Sequence, residues 1–230
     1  MLDVARIKAI GLDLDDTLWP VAPTIQRAEA ALQDWLARHA PGAARAMSDL
    51  PQRMALRKRV VALAPHIAHD MSALRRAVIA AALDEAGEAV DLAEPAFQVF
   101  FEHRNRVELY DDALAALEFL AARFPVVAVS NGNADVQRVG LGRHFHAAVG
   151  AHTAGVAKPD ARIFAAAAQA AGVAPHEMLH VGDDTDMDVL GALDAGQQAV
   201  WLNRHGRNWP HARQPHATVA DLHALCRRLA

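Results

Sequence analysis

Asp13, Asp15 and Asp183, with Ser130 and Lys158, are the residues on which chemistry is most readily built. Asp13 follows the apolar run 7–12 and opens Asp13-Leu14-Asp15-Asp16-Thr17; Ser130-Asn131-Gly132-Asn133 closes run 126–129, and Gly182-Asp183-Asp184 closes run 178–181. Two unit negative charges ~4 Å apart repel by about 4 kcal/mol at an effective dielectric near 20. Gathered together, these carboxylates need a cation, and an all-oxygen ligand set points to Mg²⁺ rather than a soft metal. Screened by such an ion, Asp13 can act as a nucleophile toward a dianionic phosphate. Asp15, just past the strand end, can protonate a departing alkoxide and later take a proton from water. Lys158 offers a compact positive charge to the transferring group. The Ser130 hydroxyl and the backbone N–H groups near Asn131 and Gly132 can bind its oxygens.

Strands must carry these residues to one rim. Runs 7–12, 126–129, 178–181 and 199–202 each have the length of a strand buried on both faces. The last three alternate with helical patterns over 112–122, 133–139, 160–171 and 184–195. That alternation predicts a parallel sheet covered on both sides, and in open α/β sheets the ligand crevice lies beyond the carboxyl ends of the strands.

Residues 21–107 read differently. Ala/Leu/Arg-rich stretches at 25–40, 51–63, 72–86 and 95–107 contain no convincing strand, while Pro51, Ser72 and Pro95 stand near helix starts and Gly87 near a stop. The expected organisation is an α/β core from 1–20 and 108–230, Rossmann-like, with a helical cap domain at 21–107 inserted after the first strand.

Composition narrows the partners. The 230 residues are 53% hydrophobic and 22% charged, with formal net charge −4. Such a balance provides no basic footprint for nucleic acid or an anionic membrane. A single cysteine, Cys226, excludes an intrachain disulfide and a thiol-ligated metal site. The first residues contain neither a signal-peptide core nor a span of about 20 apolar residues, so a cytoplasmic location is expected. The partner expected is a small-molecule phosphate ester.

Taken in order, the four motifs resemble those of the haloacid dehalogenase superfamily: Asp13-Leu14-Asp15-Asp16-Thr17, Ser130-Asn131-Gly132, Lys158-Pro159, and Gly182-Asp183-Asp184 through Asp188. The resemblance implies that Asp13 is nucleophile and metal ligand, and that Asp15 is acid/base and binds metal through its backbone carbonyl. It implies that Asp183 is the third protein ligand, Ser130, Asn131 and Lys158 hold phosphate, and Thr17 and Asp188 support the site. Many members also place a helical cap between the first and second motifs. Within the family, Gly140-Leu141-Gly142, Leu179-His180-Val181-Gly182-Asp183-Asp184 and, in the cap, Pro65-His66-Ile67-Ala68-His69-Asp70 are similar to bacterial phosphatases of the riboflavin pathway. That likeness implies 5-amino-6-(5-phospho-D-ribitylamino)uracil as substrate.

Other readings compete residue by residue. Asp is favoured in turns and helix caps generally, and Asp16 and Asp184 are expected to orient their loops. His66, His69 and Asp70 are candidates for substrate contact from the cap, against a solvated helix face. Trp19, just beyond the nucleophile loop, is expected to anchor the cap hinge rather than stack on a base. Arg53, Arg57 and Arg59 are expected to form a solvated face. Among whole functions, a 2-haloacid dehalogenase is disfavoured by Asp15, since the dehalogenases of the family lack that acid and need no metal. A phosphomutase would use the same apparatus, and a phosphate-sensing scaffold would keep the fold without turnover.

Overall fold

The apolar runs become neighbours in one six-stranded parallel sheet: β1 (Ala9–Leu12), β2 (Val126–Ser130), β3 (Ala147–Gly150), β4 (Met178–Gly182), β5 (Gln198–Leu202) and β6 (Ala217–Val219), in the order β3-β2-β1-β4-β5-β6. The computed structural model describes all residues, Met1–Ala230. β1 is central. Leu12 lies opposite Ala128 on one side and Val181 on the other, so Asp13 emerges between the ends of β2 and β4. Every residue of β1, β2, β4 and β5 is buried, which is why their sequences read as continuous apolar runs rather than alternating ones.

The chain divides into two compact units, one formed by Met1–Pro20 with Glu108–Ala230 and one by Val21–Val107. The first holds the sheet, flanked by helices. Ile163, Phe164, Ala167 and Ala168 form the apolar face of α8 (Ala161–Ala170) and pack with Val127, Val129 and Met178. The second is helical: α1 (Val21–His39), α2 (Pro41–Ser48), α3 (Leu50–Leu63), α4 (Met71–Glu85) and α5 (Ala93–Arg104). On α1 the buried residues Thr24, Ala28, Leu32 and Leu36 recur every fourth position, one face of a helix, and Leu32 and Leu36 share a core with Leu74, Leu83, Phe97 and Phe100. The remaining helices are α6 (Ala113–Ala121), α7 (Ala151–Ala154), α9 (Gly191–Asp194) and α10 (Leu222–Leu229), with a π-helical turn at Thr185–Leu190 ahead of α9.

One expected helix is absent and several elements went unread. Residues 133–139 form no helix: Asp135 turns its carboxylate onto the Gln137 and Arg138 amides, and a single turn ends at Gly140, whose φ is +86°. The segment offers room for one turn before glycine interrupts it. Strands β3 and β6 carried no signal because they are short edge strands of small residues, half exposed. Helix α2 likewise went unread.

Candidate active site

β1 delivers Asp13, whose backbone N–H donates to Val181 O at 2.9 Å, pinning the residue where it leaves the sheet. Its carboxylate is buried, and Lys158 Nζ donates to Asp13 Oδ1 at 2.5 Å and to Asp188 Oδ1 at 2.6 Å. Lys158 is therefore shared between two carboxylates, which hold its ammonium firmly protonated against burial.

Asn131 explains how the lysine is aimed. The Lys158 N–H donates to Asn131 Oδ1 at 2.7 Å, and Asn131 Nδ2 donates to Lys158 O at 2.9 Å. The Asn131 side chain is thus committed at both ends to the lysine backbone. Of the polar groups on that loop, Ser130 Oγ accepts the Gly132 N–H at 3.0 Å, which occupies that amide and leaves the hydroxyl hydrogen free to donate.

Past β4 the chain turns abruptly. Asp184 accepts the Asp186 and Met187 N–H groups at 2.9 and 2.8 Å, capping the π-helical turn as an orienting residue. That turn brings Asp188 back beneath Gly182, where an added Cβ would stand 2.2 Å from Asp188 Cγ. Only glycine lets the carboxylate tuck in. Asp188 then accepts Lys158 and His180 on Oδ1 and the Asp184 N–H on Oδ2.

Asp13, Asp183 and Asp188 present carboxylate oxygens all within 4.8 Å of one another. Their charges are not equally compensated. Asp188, although buried, is held well below the usual carboxylate range by Lys158 and His180. Burial pushes Asp13 well above that range despite Lys158, with Asp188 and Asp183 adding to the rise. Asp183 is pushed up to about 7, by burial and then by Asp188, Asp16 and Asp184, with Arg207 the opposing charge. A buried and a half-buried carboxylate lacking enough positive charge, with oxygen donors only, fit a hard divalent cation such as Mg²⁺. The side-chain cluster contains Asp188 in place of Asp15, whose expected metal contact is a backbone carbonyl.

Asp15 is placed by a tight turn. Asp16 adopts φ +58°, its N–H donates to Trp19 O at 2.7 Å, and Asp15 and Trp19 form an isolated bridge. A non-glycine residue in that left-handed region is strained, which marks the turn as specified by its surroundings. Trp19 is fully buried, and its indole N–H donates to Asp15 Oδ1 at 2.8 Å. What the buried tryptophan holds is the carboxylate of Asp15.

Three contributors escaped the sequence reading. His180 on β4 donates from Nε2 to Asp188 at 3.0 Å and meets Phe164 edge to face; the signal was a lone histidine inside an apolar strand. Trp201 on β5 donates its indole N–H to Asp183 O at 2.9 Å. Arg204 forms a bidentate pair with Asp112 at 2.9 and 3.1 Å, donates to Thr17 O at 2.8 Å and covers the Tyr110 ring. It thereby ties the end of the Asp13–Thr17 loop to the chain just before α6. Thr17, expected to support the site, accepts Arg204 through its backbone carbonyl.

The sequence profile of the haloacid dehalogenase-like hydrolases matches residues 7–196, spanning every motif just described. The chain belongs to the haloacid dehalogenase-like hydrolases. Over 96% of its length and 96% of the relative's, this hydrolase is 33% identical to 5-amino-6-(5-phospho-D-ribitylamino)uracil phosphatase YigB of Escherichia coli. It is 39% identical to phosphoserine phosphatase of Thermus thermophilus over 64% of this chain and 62% of that one. Among solved structures, one described as a 2-haloacid dehalogenase from Pseudomonas syringae pv. Tomato superposes with a TM-score of 0.91 at 39% identity, covering 96% of this chain and 99% of the other.

Within the helical unit, His66 is exposed, His69 half-buried, and Asp70 caps α4 by accepting the Ser72 and Ala73 N–H groups, both at 2.9 Å. The Asp70 carboxylate thus already serves a structural purpose that the sequence reading had not assigned to it. No helix is long and apolar enough to cross a membrane.

Proposed function

We propose that this hydrolase is a Mg²⁺-dependent phosphatase of small phosphorylated metabolites that works through a phosphoaspartyl intermediate on Asp13. The observation that carries the reading is the cluster of Asp13, Asp183 and Asp188, of which Asp13 and Asp188 share the single ammonium of Lys158. Asp13 and Asp183, with the Asp15 carbonyl, would hold the ion, whose charge lowers the repulsion between the carboxylates and an incoming phosphate dianion.

The rest of the chemistry belongs to the chain. Lys158 engages Asp13 Oδ1, so the other carboxylate oxygen attacks phosphorus as the ester P–O bond breaks. Asp15, oriented by Trp19, protonates the leaving alkoxide. Its carboxylate then takes a proton from water, which attacks the phosphoaspartyl phosphorus, releasing phosphate and restoring Asp13. Lys158 and the Ser130 hydroxyl bind the phosphoryl oxygens, and Asp188 with Asn131 keeps Lys158 in place.

The name of the P. syringae relative favours a second reading, displacement of halide from a 2-haloacid by Asp13. Halide leaves without a proton, so that reaction provides no role for an acid held by a buried indole. The similarity to the E. coli enzyme makes 5-amino-6-(5-phospho-D-ribitylamino)uracil the first substrate to try, and helical residues 21–107, through His66 and His69, are proposed to serve as a specificity cap. The test is phosphate release from a panel of phosphate monoesters with and without Mg²⁺, beside chloride release from 2-chloropropionate. Magnesium-dependent phosphate release without chloride release is expected; chloride release alone would overturn the reading.

A further inference from the structure

Helix α3 buries Leu56 and Val60, yet a second stripe runs along it: Leu50, Arg53, Met54 and Arg57, spaced i, i+3, i+4, i+7. Helix α4 repeats that spacing with Met71, Leu74, Arg75 and Val78. The two stripes, with Met47 and Glu29, line a cavity of about 200 Å³ inside the helical unit. Leu50 and Met54 are 55% and 63% exposed, an unusual state for large apolar side chains that have a core beside them.

The cavity's charge is unbalanced. Glu29 is its one carboxylate, taking Arg75 Nη1 at 2.8 Å and, more loosely, Arg53 Nη1 at 3.6 Å. Arg57 pairs with no carboxylate. Three guanidinium groups around one acid leave an excess of two positive charges in a chain whose net charge is −4. Arg75 is mostly enclosed, with its guanidinium 3.7 Å over the Phe100 ring. Burial weakens its hold on the proton; Glu29 restores part of it, and the neighbouring charges of Arg53 and Arg57 weaken it again. A face made only for solvation would spread its arginines into water; here Arg53 and Arg75 converge on one acid, and Arg57 lines the same cavity between apolar walls.

We propose that this cavity binds a small organic anion, a phosphoryl or carboxylate group carried on a single flat apolar ring, as a ligand that is held and not turned over. The arginines supply charge-assisted donors for the anionic group. Met47, Met54 and Met71 supply adaptable thioether surface suited to a ring face. Size limits the guest, since a cavity of about 150 Å³ accepts benzene. One ring with its anionic group fits, and a peptide segment does not. The cavity shares no residue with the strand-end site, so the proposal goes beyond the phosphatase reading and does not depend on it.

The six methionines make a direct test possible, because three of them line this cavity while Met178 and Met187 belong to the sheet unit. The full chain, labelled with [methyl-¹³C]methionine, would be titrated with phenylphosphonate, benzoate and benzyl alcohol. Saturable shifts of the Met47, Met54 and Met71 methyls are expected with one or both anions, while Met178 stays unmoved. The tighter anion tells whether the recognised group is phosphoryl or carboxylate. Loss of one charge-assisted contact should weaken binding about tenfold or more in Arg57→Gln, an exposed and unpaired position, and further in Arg53→Gln with Arg57→Gln. The proposal is overturned if the three methyls stay still, if benzyl alcohol moves them equally, or if Arg57→Gln binds as wild type.

Discussion

The strand-end site and the helical cavity are near inversions of one another. In the first, three clustered carboxylates have one lysine, which bonds two of them; in the second, three guanidinium groups line a cavity with one glutamate, which pairs with two of them. Each leaves uncompensated charge in a partly desolvated place, where such charge is expensive. Asp13 is forced up in the one, and Arg75 is forced down in the other. The lesson is that local imbalance of charge, more than the presence of charged residues, marks where a ligand of opposite sign belongs. The positioning differs too. Strand ends and the loops beside them fix single residues from segments distant in sequence, whereas the cavity is built mainly by two helix stripes.

The largest expected effect attacks the first half of that comparison. Asp13→Asn should lower phosphate release more than about 10⁴-fold, as loss of a nucleophile does, with the fold retained by circular dichroism. Near wild-type turnover in a deamidation-free preparation would mean that the imbalance at Asp13 is unrelated to attack. Asp15→Asn keeps the backbone carbonyl and loses the proton-carrying group, so a drop of about 10²–10⁴-fold is expected. The drop should be smaller for aryl phosphates with good leaving groups; an equal drop for alkyl and aryl esters would make Asp15 structural.

Balanced charge should behave oppositely, as stability rather than activity. Burial raises Asp112, but the Arg204 guanidinium and the Leu222 N–H outweigh it and hold the carboxyl below its usual range. Asp112→Asn should cost about 2 kcal/mol at neutral pH, less than complete loss of a buried partner because the amide keeps one acceptor. A depressed carboxyl contributes fully above its unfolded value of about 3.9, and that contribution is lost as pH falls through the lower folded value. The stability gap between Asp112→Asn and wild type, read by urea titration, should therefore close below about pH 4. A gap constant from pH 7 to pH 3 would contradict the assignment.

The smallest effect separates residues of the helical unit from one another. Asp70→Ala removes a helix cap and should cost about 1 kcal/mol while KM for a phosphoribityl substrate holds. His69→Ala should raise that KM a few-fold and leave turnover of a small aryl phosphate unchanged. An equal KM change in both variants would place Asp70 on the substrate after all.

Much of the strand-end arrangement was legible because fully buried strands leave continuous apolar runs, and the polar residues interrupting them stand out. Asp13, Ser130 and Asp183 were visible for that reason. His180, Trp201 and Arg204 were not, since each acts through a partner fixed by sheet register or by a loop: Asp188, the Asp183 carbonyl, and Asp112 with Thr17. Asn131 was visible, but its side chain's task was not, because the lysine backbone it clasps lies 27 residues away. Edge strands β3 and β6 failed for the opposite reason: half exposure and small side chains leave no periodic signal. The arginines of α3 read as a solvated face, and only the packing against α4 places Arg53 and Arg57 on a cavity.

The most direct measurement concerns the covalent intermediate. Enzyme mixed with Mg²⁺ and a rapidly transferring aryl phosphate, quenched in acid within the first turnover and digested at low pH, would be mapped by mass spectrometry. A phosphoryl group is expected on the peptide containing Asp13, absent from Asp13→Asn and accumulating in Asp15→Asn, where the water step lacks its base. Phosphate released with a first-turnover burst while Asp13 stays unmodified, or modification of another residue, would contradict the assignment of Asp13 as nucleophile.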